Sequence, residues 1–273
     1  MNTTKRIVSV ALICAFSGAM FAQRVTQEER PVSAFTGLDA SGAFAIELKK
    51  GSQPSVVIEA DDIYMQYIKT EVVSGVLRLS FNNPSRTRLR AGATLNACIT
   101  ITDLNYIELS GACLLTSSDR FTPSRLRIDL SGASNIAGLQ IDADDVGIEA
   151  SGASKFEITG NISELKASVS GASKGFFKVT SQQLSASATG ASDLTIEGTA
   201  HKALIDVTGA TTVKANSLTV NELRYSASGA SKAYVHVVES LSVKMSGASK
   251  LDYKGTPRIV EMQVSTGSSL NRR

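Results

Sequence analysis

The chain has 273 residues and a mass of 28.7 kDa, with no Trp, 5% aromatic residues, 21 Gly and two His. Such a length holds one large β domain or two small ones. Its core must be built from Val, Ile, Leu and Ala, and so few rings and imidazoles argue against base-stacking platforms and His-rich metal sites. Net charge is +3, and +1 without Lys5 and Arg6 (26 basic against 25 acidic side chains), too near neutral for a nucleic-acid partner.

A secretory signal peptide is expected over residues 1–22. Lys5 and Arg6 form a short positive region, an apolar run extends from Ile7 to Phe16, and small residues follow up to Ala22. That run is too short to span about 30 Å of hydrocarbon, so it reads as a removable leader and not an anchor. Ile13 precedes Cys14 where a lipoprotein signal wants a small residue. Cleavage is therefore expected after Ala22, leaving 251 residues (273 less 22) that begin at Gln23. No second hydrophobic stretch occurs, so the mature chain is expected to carry no transmembrane segment and to occupy the periplasm, the outer-membrane surface or the extracellular space. Cys14 leaves with the leader. Alternating strands would put Cys98 among outward positions and Cys113 among inward ones. Two free thiols are expected over a bridge, although export permits a disulfide.

Residues 23–101 are expected to form an N-terminal β cap with irregular first coils, continuous with the C-terminal repeats; a separate domain is the alternative. Two hairpin-like pairs stand here, 44–49 with 55–59 around Lys50-Gly51-Ser52, and 68–73 with 76–81 around Ser74-Gly75. Tyr64, Met65, Tyr67 and Phe81 supply bulk suited to covering the end of a core. Residues 84–90 form a basic segment that reads as a solvated insertion or as a contact for an anionic surface.

Residues 102–273 are governed by one tetrad, Ser/Thr-Gly-Ala followed by Ser, Thr or Cys. It centres on Gly111, Gly132, Gly152, Gly171, Gly190, Gly209, Gly229 and Gly247, at intervals of 21, 20, 19, 19, 19, 20 and 18 residues. An earlier Ser-Gly-Ala-Phe holds Gly42 and a degenerate Thr-Gly-Ser-Ser holds Gly267. Counting from each Gly as zero, positions −6, −4 and −2 are apolar (Leu165, Ala167, Val169) and the residues between are polar (Lys166, Ser168). Alternation resumes at +4 and +6, as in Phe156 and Ile158. Period two marks strands with one buried face, and no repeat shows helical spacing. Each repeat is thus a strand, a Gly-Ala corner, a second strand and a polar connector such as 160–164 or 198–202. One unit cannot bury its apolar face alone, whereas stacked units can. The expected fold is all-β, a parallel β-helix of about eight ~19-residue coils with an N-terminal β-hairpin cap.

The tetrad has a structural reading. Gly allows the corner its backbone angles. The hydroxyls at +2 (Ser134, Ser154, Ser173, Ser192, Thr211, Ser231 and Ser249) face inward by parity, where they can bond along a ladder or to the corner backbone. Position +3 faces outward. There Lys155, Lys174, Lys232 and Lys250 fall in one row with Asn135, Asp193 and Thr212, a candidate stripe for acidic glycans or phosphates, or a row of solvated, edge-protecting charge.

The leader, the Val32-Ser33-Ala34-Phe35 segment, residues 43–50 ending in Lys-Gly, Leu77-Arg78-Leu79 and the repeated Ser-Gly-Ala-Ser-Lys together resemble the head GIN domain family over residues 32–255. That family is described as adhesin heads of autotransporters, frequent in exported proteins of Bacteroidetes-type bacteria. The resemblance implies a right-handed parallel β-helix, a surface or periplasmic location and no catalytic site. With the last tetrad at Gly267 and the sequence stopping at Arg273, no C-terminal membrane barrel is expected.

Chemistry is sparse. Asp142, Asp144 and Asp145 could bind Ca²⁺ or simply form an Asp-rich turn. His201 and His236 read as solvated. No hydrolase, metalloprotease, phosphate-loop or dinucleotide fingerprint is present. No catalytic residue, cofactor or metal site is assigned. The expected function is a non-enzymatic, adhesin-like or ligand-binding protein of the cell envelope, with a glycan or surface protein as partner. A polysaccharide lyase or hydrolase and a self-associating, homo-oligomeric scaffold are the alternatives.

Overall fold

The computed structural model describes residues 24–82 and 89–273. The expected signal peptide, Gln23 and most of the basic 84–90 segment lie outside the described residues. The described chain begins with β1 (Val25–Arg30), β2 (Gly37–Gly42), β3 (Ala45–Lys50) and β4 (Ser55–Asp61), then one helical turn, α1 (Asp62–Met65). β5 (Ile68–Val73), β6 (Val76–Phe81) and β7 (Leu95–Ile101) come after it, then β8 (Tyr106–Gly111), β9 (Leu114–Thr116), β10 (Arg120–Phe121), β11 (Arg125–Leu130), β12 (Asn135–Ile141) and β13 (Ala143–Ala150). Five long strands come next: β14 (Lys155–Val169), β15 (Lys174–Ala188), β16 (Asp193–Val207), β17 (Thr212–Ala227) and β18 (Lys232–Met245). The chain closes with β19 (Lys250–Lys254), β20 (Arg258–Val264) and β21 (Ser269–Arg272).

These strands stack in parallel register as about nine turns of a β-solenoid, as the repeat requires. Residues before each corner glycine build a first wall, in the order β6, β2, β8, β11, β13 and then the second halves of β14 to β18, ending at β20. Residues after the glycine build a second wall from β7, β3, β9 and β12 through the first halves of β14 to β18, ending at β19 and β21. The connectors at 160–164 and 198–202 are not loops but lie inside β14 and β16. Inward alternation breaks in β14 after Ile158 and again after Ile162, so the strand bends twice while its ladder continues, and Ile162 fills a short third side.

Inside, stacked Leu, Ile, Val and Ala form one apolar column system from Phe35 to Leu251. Each fully buried branched side chain contributes about 1.5–3 kcal/mol. At Phe156 a neighbour makes room for aromatic bulk. A Cβ at Gly175 would strike the Phe156 ring and Leu194, and Phe156 lies 5.1 Å from Phe177 between ring centroids.

The corner glycines fall in one file. From Gly111 to Gly247 each has φ between +69° and +87°, and a Cβ on any of them would sit within 3.0 Å of the preceding corner's carbonyl oxygen. Both the backbone angle and the clash exclude a side chain. The following Ala N–H donates to that same oxygen at 2.7–2.9 Å, so the ladder turns the corner unbroken. The +2 hydroxyls are buried, and several bond within their own corner: Ser154 Oγ donates to Ser151 O at 2.7 Å, Ser192 to Thr189 O at 2.7 Å, and Thr211 to Thr208 O at 2.9 Å, whereas those of Ser134, Ser173 and Ser231 have no hydrogen-bond partner among the described residues. Cys113 occupies this same file, buried, with its Sγ 3.7 Å from Ala40 O, while Cys98 is partly exposed on β7; the two thiols are not bridged. Burial pushes the Cys113 thiol up from its ordinary value.

Gly42 stacks directly on Gly111, so the 69-residue interval between them, against about 19 in the repeats, contains an insertion at one end of the solenoid. β5 and β6 form the expected hairpin through Ser74 (φ 52°) and Gly75 (φ 77°). The other expected hairpin does not form. β7 lies between its two arms, parallel to β3 and antiparallel to β4, because Leu95, Ala97, Ile99 and Ile101 give it an unbroken inward row. β1 then runs antiparallel on β4, and α1 buries Tyr64 and Met65 over the core. At the other end the strand pair β20 and β21 stays largely exposed.

Candidate binding surface

The two walls differ outside as sharply as they agree inside. On the first wall, outward positions −7, −5 and −3 line up as three rows across the coils. Small side chains are interspersed in two of them: Gly147, Ser185 and Ser242 share the −5 row with Arg127, Lys166, Leu204 and Arg224, and Ser168, Ser187 and Ser226 share the −3 row with Glu149, Asp206 and Lys244. Longer side chains of the same rows and of the −7 row stand around them, and the wall is a trough. Hollows of about 290, 440 and 960 Å³ run into one another along it, the first two sharing Arg127 and Glu149, the last two Lys166 and Ser185. A fourth of about 610 Å³ lies at the corner rim beside Lys244. The largest crosses six strands, from Glu164 through Gln183, Lys202, Glu222 and Ser240 to Arg258, a length of about 24 Å.

The trough is electrically polar. From Arg78 on β6 its −3 row passes through four carboxylates in successive strands, Asp39, Glu108, Asp129 and Glu149, then through Ser168, Ser187, Asp206 and Ser226, and reaches Lys244. Burial first, and then the Glu108 charge, raise Asp39 above the usual carboxylate range. Tyr106 donates to Glu108 at 2.6 Å, and Arg127 reaches both Asp129 (2.9 Å) and Glu149 (3.4 Å). At the far end Lys202 pairs with Glu222 at 3.5 Å, whereas Lys166, Arg224 and Arg258 have no ion-pair partner among the described residues. Residues 24–154 carry 12 basic and 16 acidic side chains (net −4), and residues 155–273 carry 14 and 9 (net +5). Sequence reasoning missed the acidic file because its first two members are distant in sequence; only the stacking of Gly42 on Gly111 makes them neighbours.

On the second wall the +3 row exists as drawn from the sequence: Asn135, Lys155, Lys174, Asp193, Thr212, Lys232, Lys250 and Ser269 are successive register partners. Lys155 adjoins Lys174, and Lys232 adjoins Lys250, but Asp193 and Thr212 separate the two pairs. Lys174 lies 3.9 Å from Asp193 and Lys250 lies 3.6 Å from Asp252. A shallow hollow of about 440 Å³ covers Lys155, Lys174 and Lys214.

Asp142 bridges coils and does not converge on a site. Arg120 donates to it at 2.8 Å and the Asn161 N–H at 2.9 Å, and these bonds hold its carboxyl below the usual range. Asp145 pairs with Arg125 at 3.2 Å, and Asp144 lies on β13. Among the described residues no group of three or more His, Cys, Asp or Glu is placed to hold a metal ion. His201 is exposed; His236 points outward, 3.5 Å from Thr219 Oγ1. No described helix is long and apolar enough to cross a membrane.

A family model described as "Putative auto-transporter adhesin, head GIN domain" matches residues 34–176 and 172–257. No curated protein matches the chain. Among solved structures, a "putative adhesin" from Parabacteroides merdae aligns with a TM-score of 0.70 at 14% identity, over 92% of this chain and 97% of the other. A "putative adhesin" from Parabacteroides distasonis gives 0.70 at 15%, over 92% and 98%. A "putative lipid binding protein" from the same species gives 0.67 at 17%, also over 92% and 98%.

Proposed function

This chain belongs to the head GIN domain family, and from that membership and the shape of the first wall we propose that it is an exported, non-catalytic adhesin-type module that holds an extended anionic glycan in the trough. The observation that carries the reading is the serine floor. Ser168, Ser185, Ser187, Ser226 and Ser242 present small hydroxyls that donate and accept, which suits the hydroxyls of a sugar chain lying across the strands. Lys166, Arg224 and Arg258, without ion-pair partners among the described residues, supply the charge that favours an acidic chain at the basic end. The lysine row on the second wall is a weaker candidate, since Asp193 and Asp252 neutralise two of its members.

The test is a glycan array followed by calorimetry with polygalacturonate and heparin, using the mature protein and its Ser187→Trp variant. Tryptophan at this outward position would fill the floor without touching the core. Binding by the mature protein and a loss of about tenfold or more in the variant is expected. An array without any bound glycan contradicts the reading. Turnover of the polymer, lost in Asp39→Asn, would move the protein to the polysaccharide-cleaving class.

A further inference from the structure

Among the described residues seven of the ten large exposed apolar side chains lie at the two ends of the solenoid, the others being Leu114, Leu204 and Val238. At the cap end they are Val25 on β1, Ile63 on α1 and Val73 on β5, and Ile63 is 47% exposed. At the opposite end they are Ile259, Val260, Met262 and Val264 on β20, of which Val260 and Met262 are 57% and 63% exposed. Ile259, Met262 and Val264 sit in register on Leu241, Val243 and Met245, the inward residues of β18. They are core positions that, among the described residues, no further coil covers. β20 and β21 also present one free strand edge each, a surface that soluble proteins usually block.

Charge indicates what fits there. Residues 24–73 carry five basic and eight acidic side chains (net −3), and residues 250–273 carry five and two (net +3). Glu29 and Asp62 at the cap, and Lys254, Arg258 and Arg272 at the other end, are exposed and have no ion-pair partner among the described residues. Strand direction agrees as well. β1 is antiparallel to β4, which is antiparallel to β7, so β1 runs the same way as β21 and could follow it in a ladder. We infer that the β20–β21 end docks the N-terminal cap of a second copy of this chain, head to tail. β21 would meet the partner copy's β1, and β20 the partner copy's β5. Tail-to-tail pairing would set +3 against +3. A head-to-tail contact leaves a free tail and a free cap on every dimer, so along the solenoid axis assembly continues with concentration. The inference does not rest on the trough reading.

Sedimentation velocity tests it, with the mature protein up to about 0.5 mM at low and high salt. The expected result is a mean mass that climbs without a plateau at dimer and falls as salt rises. Met262→Asp (tail) and Ile63→Asp (cap) change exposed side chains, and unchanged melting would verify their folds. Each should weaken association by about tenfold. An equimolar mixture should form a 1:1 dimer that grows no further, since only one intact tail and one intact cap can meet. A monomer at every concentration overturns the inference. So does a dimer that strengthens with salt and survives Ile63→Asp, which would establish tail-to-tail pairing.

Discussion

The repeats and the cap solve the same problem, covering an apolar face, by opposite means. In the repeats each coil is covered by a near-copy of itself, so a corner glycine packs on a corner glycine and its carbonyl accepts from the next alanine. In the cap, coverage comes from antiparallel strands brought back over the end from distant parts of the chain. Glycine therefore means different things in the two places. Gly171 (φ +73°) is enclosed by the backbone of Gly152, whereas Gly75 in the cap hairpin has the same kind of backbone angle (φ +77°) with nothing within 4 Å of its absent Cβ.

The largest expected effect separates these cases. Gly171→Ala should destabilise the protein by roughly 3 kcal/mol or more, through the disfavoured angle and the backbone clash together. Gly75→Ala carries only the angle and should cost about 1 kcal/mol. Urea unfolding of the two variants reads the difference directly. Comparable losses would mean that stacking contact adds nothing to the corner.

Within the repeats, Gly175→Ala should cost about 1–3 kcal/mol by overpacking Phe156 and Leu194. Combined with Phe156→Leu, it should cost less than the sum of the two single changes. Thermal melts of the double-mutant cycle measure that coupling. A smaller contrast lies in the hydroxyl file. Ser154→Ala removes a bond to Ser151 O and should cost about 1 kcal/mol. The buried hydroxyl of Ser173 has no partner among the described residues, so Ser173→Ala should be neutral or slightly stabilising in the same assay.

The smallest effect is acid sensitivity at the β21 end. Burial pushes Asp252 up, but hydrogen bonds from Asn271 and Arg273 and the charges of Arg273 and Lys250 hold it below its ordinary value. A depressed carboxyl stabilises the fold above its unfolded pKa of about 3.9, and that stability is lost as pH falls through the lower folded value. The protection factors of the amides over 269–272, taken relative to the intrinsic exchange rate at each pH, should therefore fall below about pH 4 while the repeat corners stay protected, and Asp252→Asn should remove that fall.

The repeats were legible because their signals are local. A tetrad marks each corner, period two marks each wall, and parity alone puts Ser154 inside and Lys155 outside. The cap was legible only in its β5–β6 hairpin, because the choice between β4 and β7 as the neighbour of β3 depends on contacts far apart in sequence, and adjacency in the chain favoured the wrong one. The connectors read as loops since their polar residues hide single inward ones, Ile162 and Ala200, that keep the strand in the ladder. The +3 lysine row could be drawn from spacing, but its partial neutralisation depends on Asp252, two positions along the strand from Lys250. The serine floor was written at −5 and −3 in plain view. Its meaning as a trough required knowing which rows stand beside it.

Hydrogen–deuterium exchange of the mature protein with and without saturating polygalacturonate tests the central claim, that the first wall is the ligand surface. Protection is expected over 164–168, 183–187 and 222–226, with 155–159 and 174–178 on the second wall unchanged. Protection confined to the second wall, or none at a concentration where calorimetry shows binding, would contradict it.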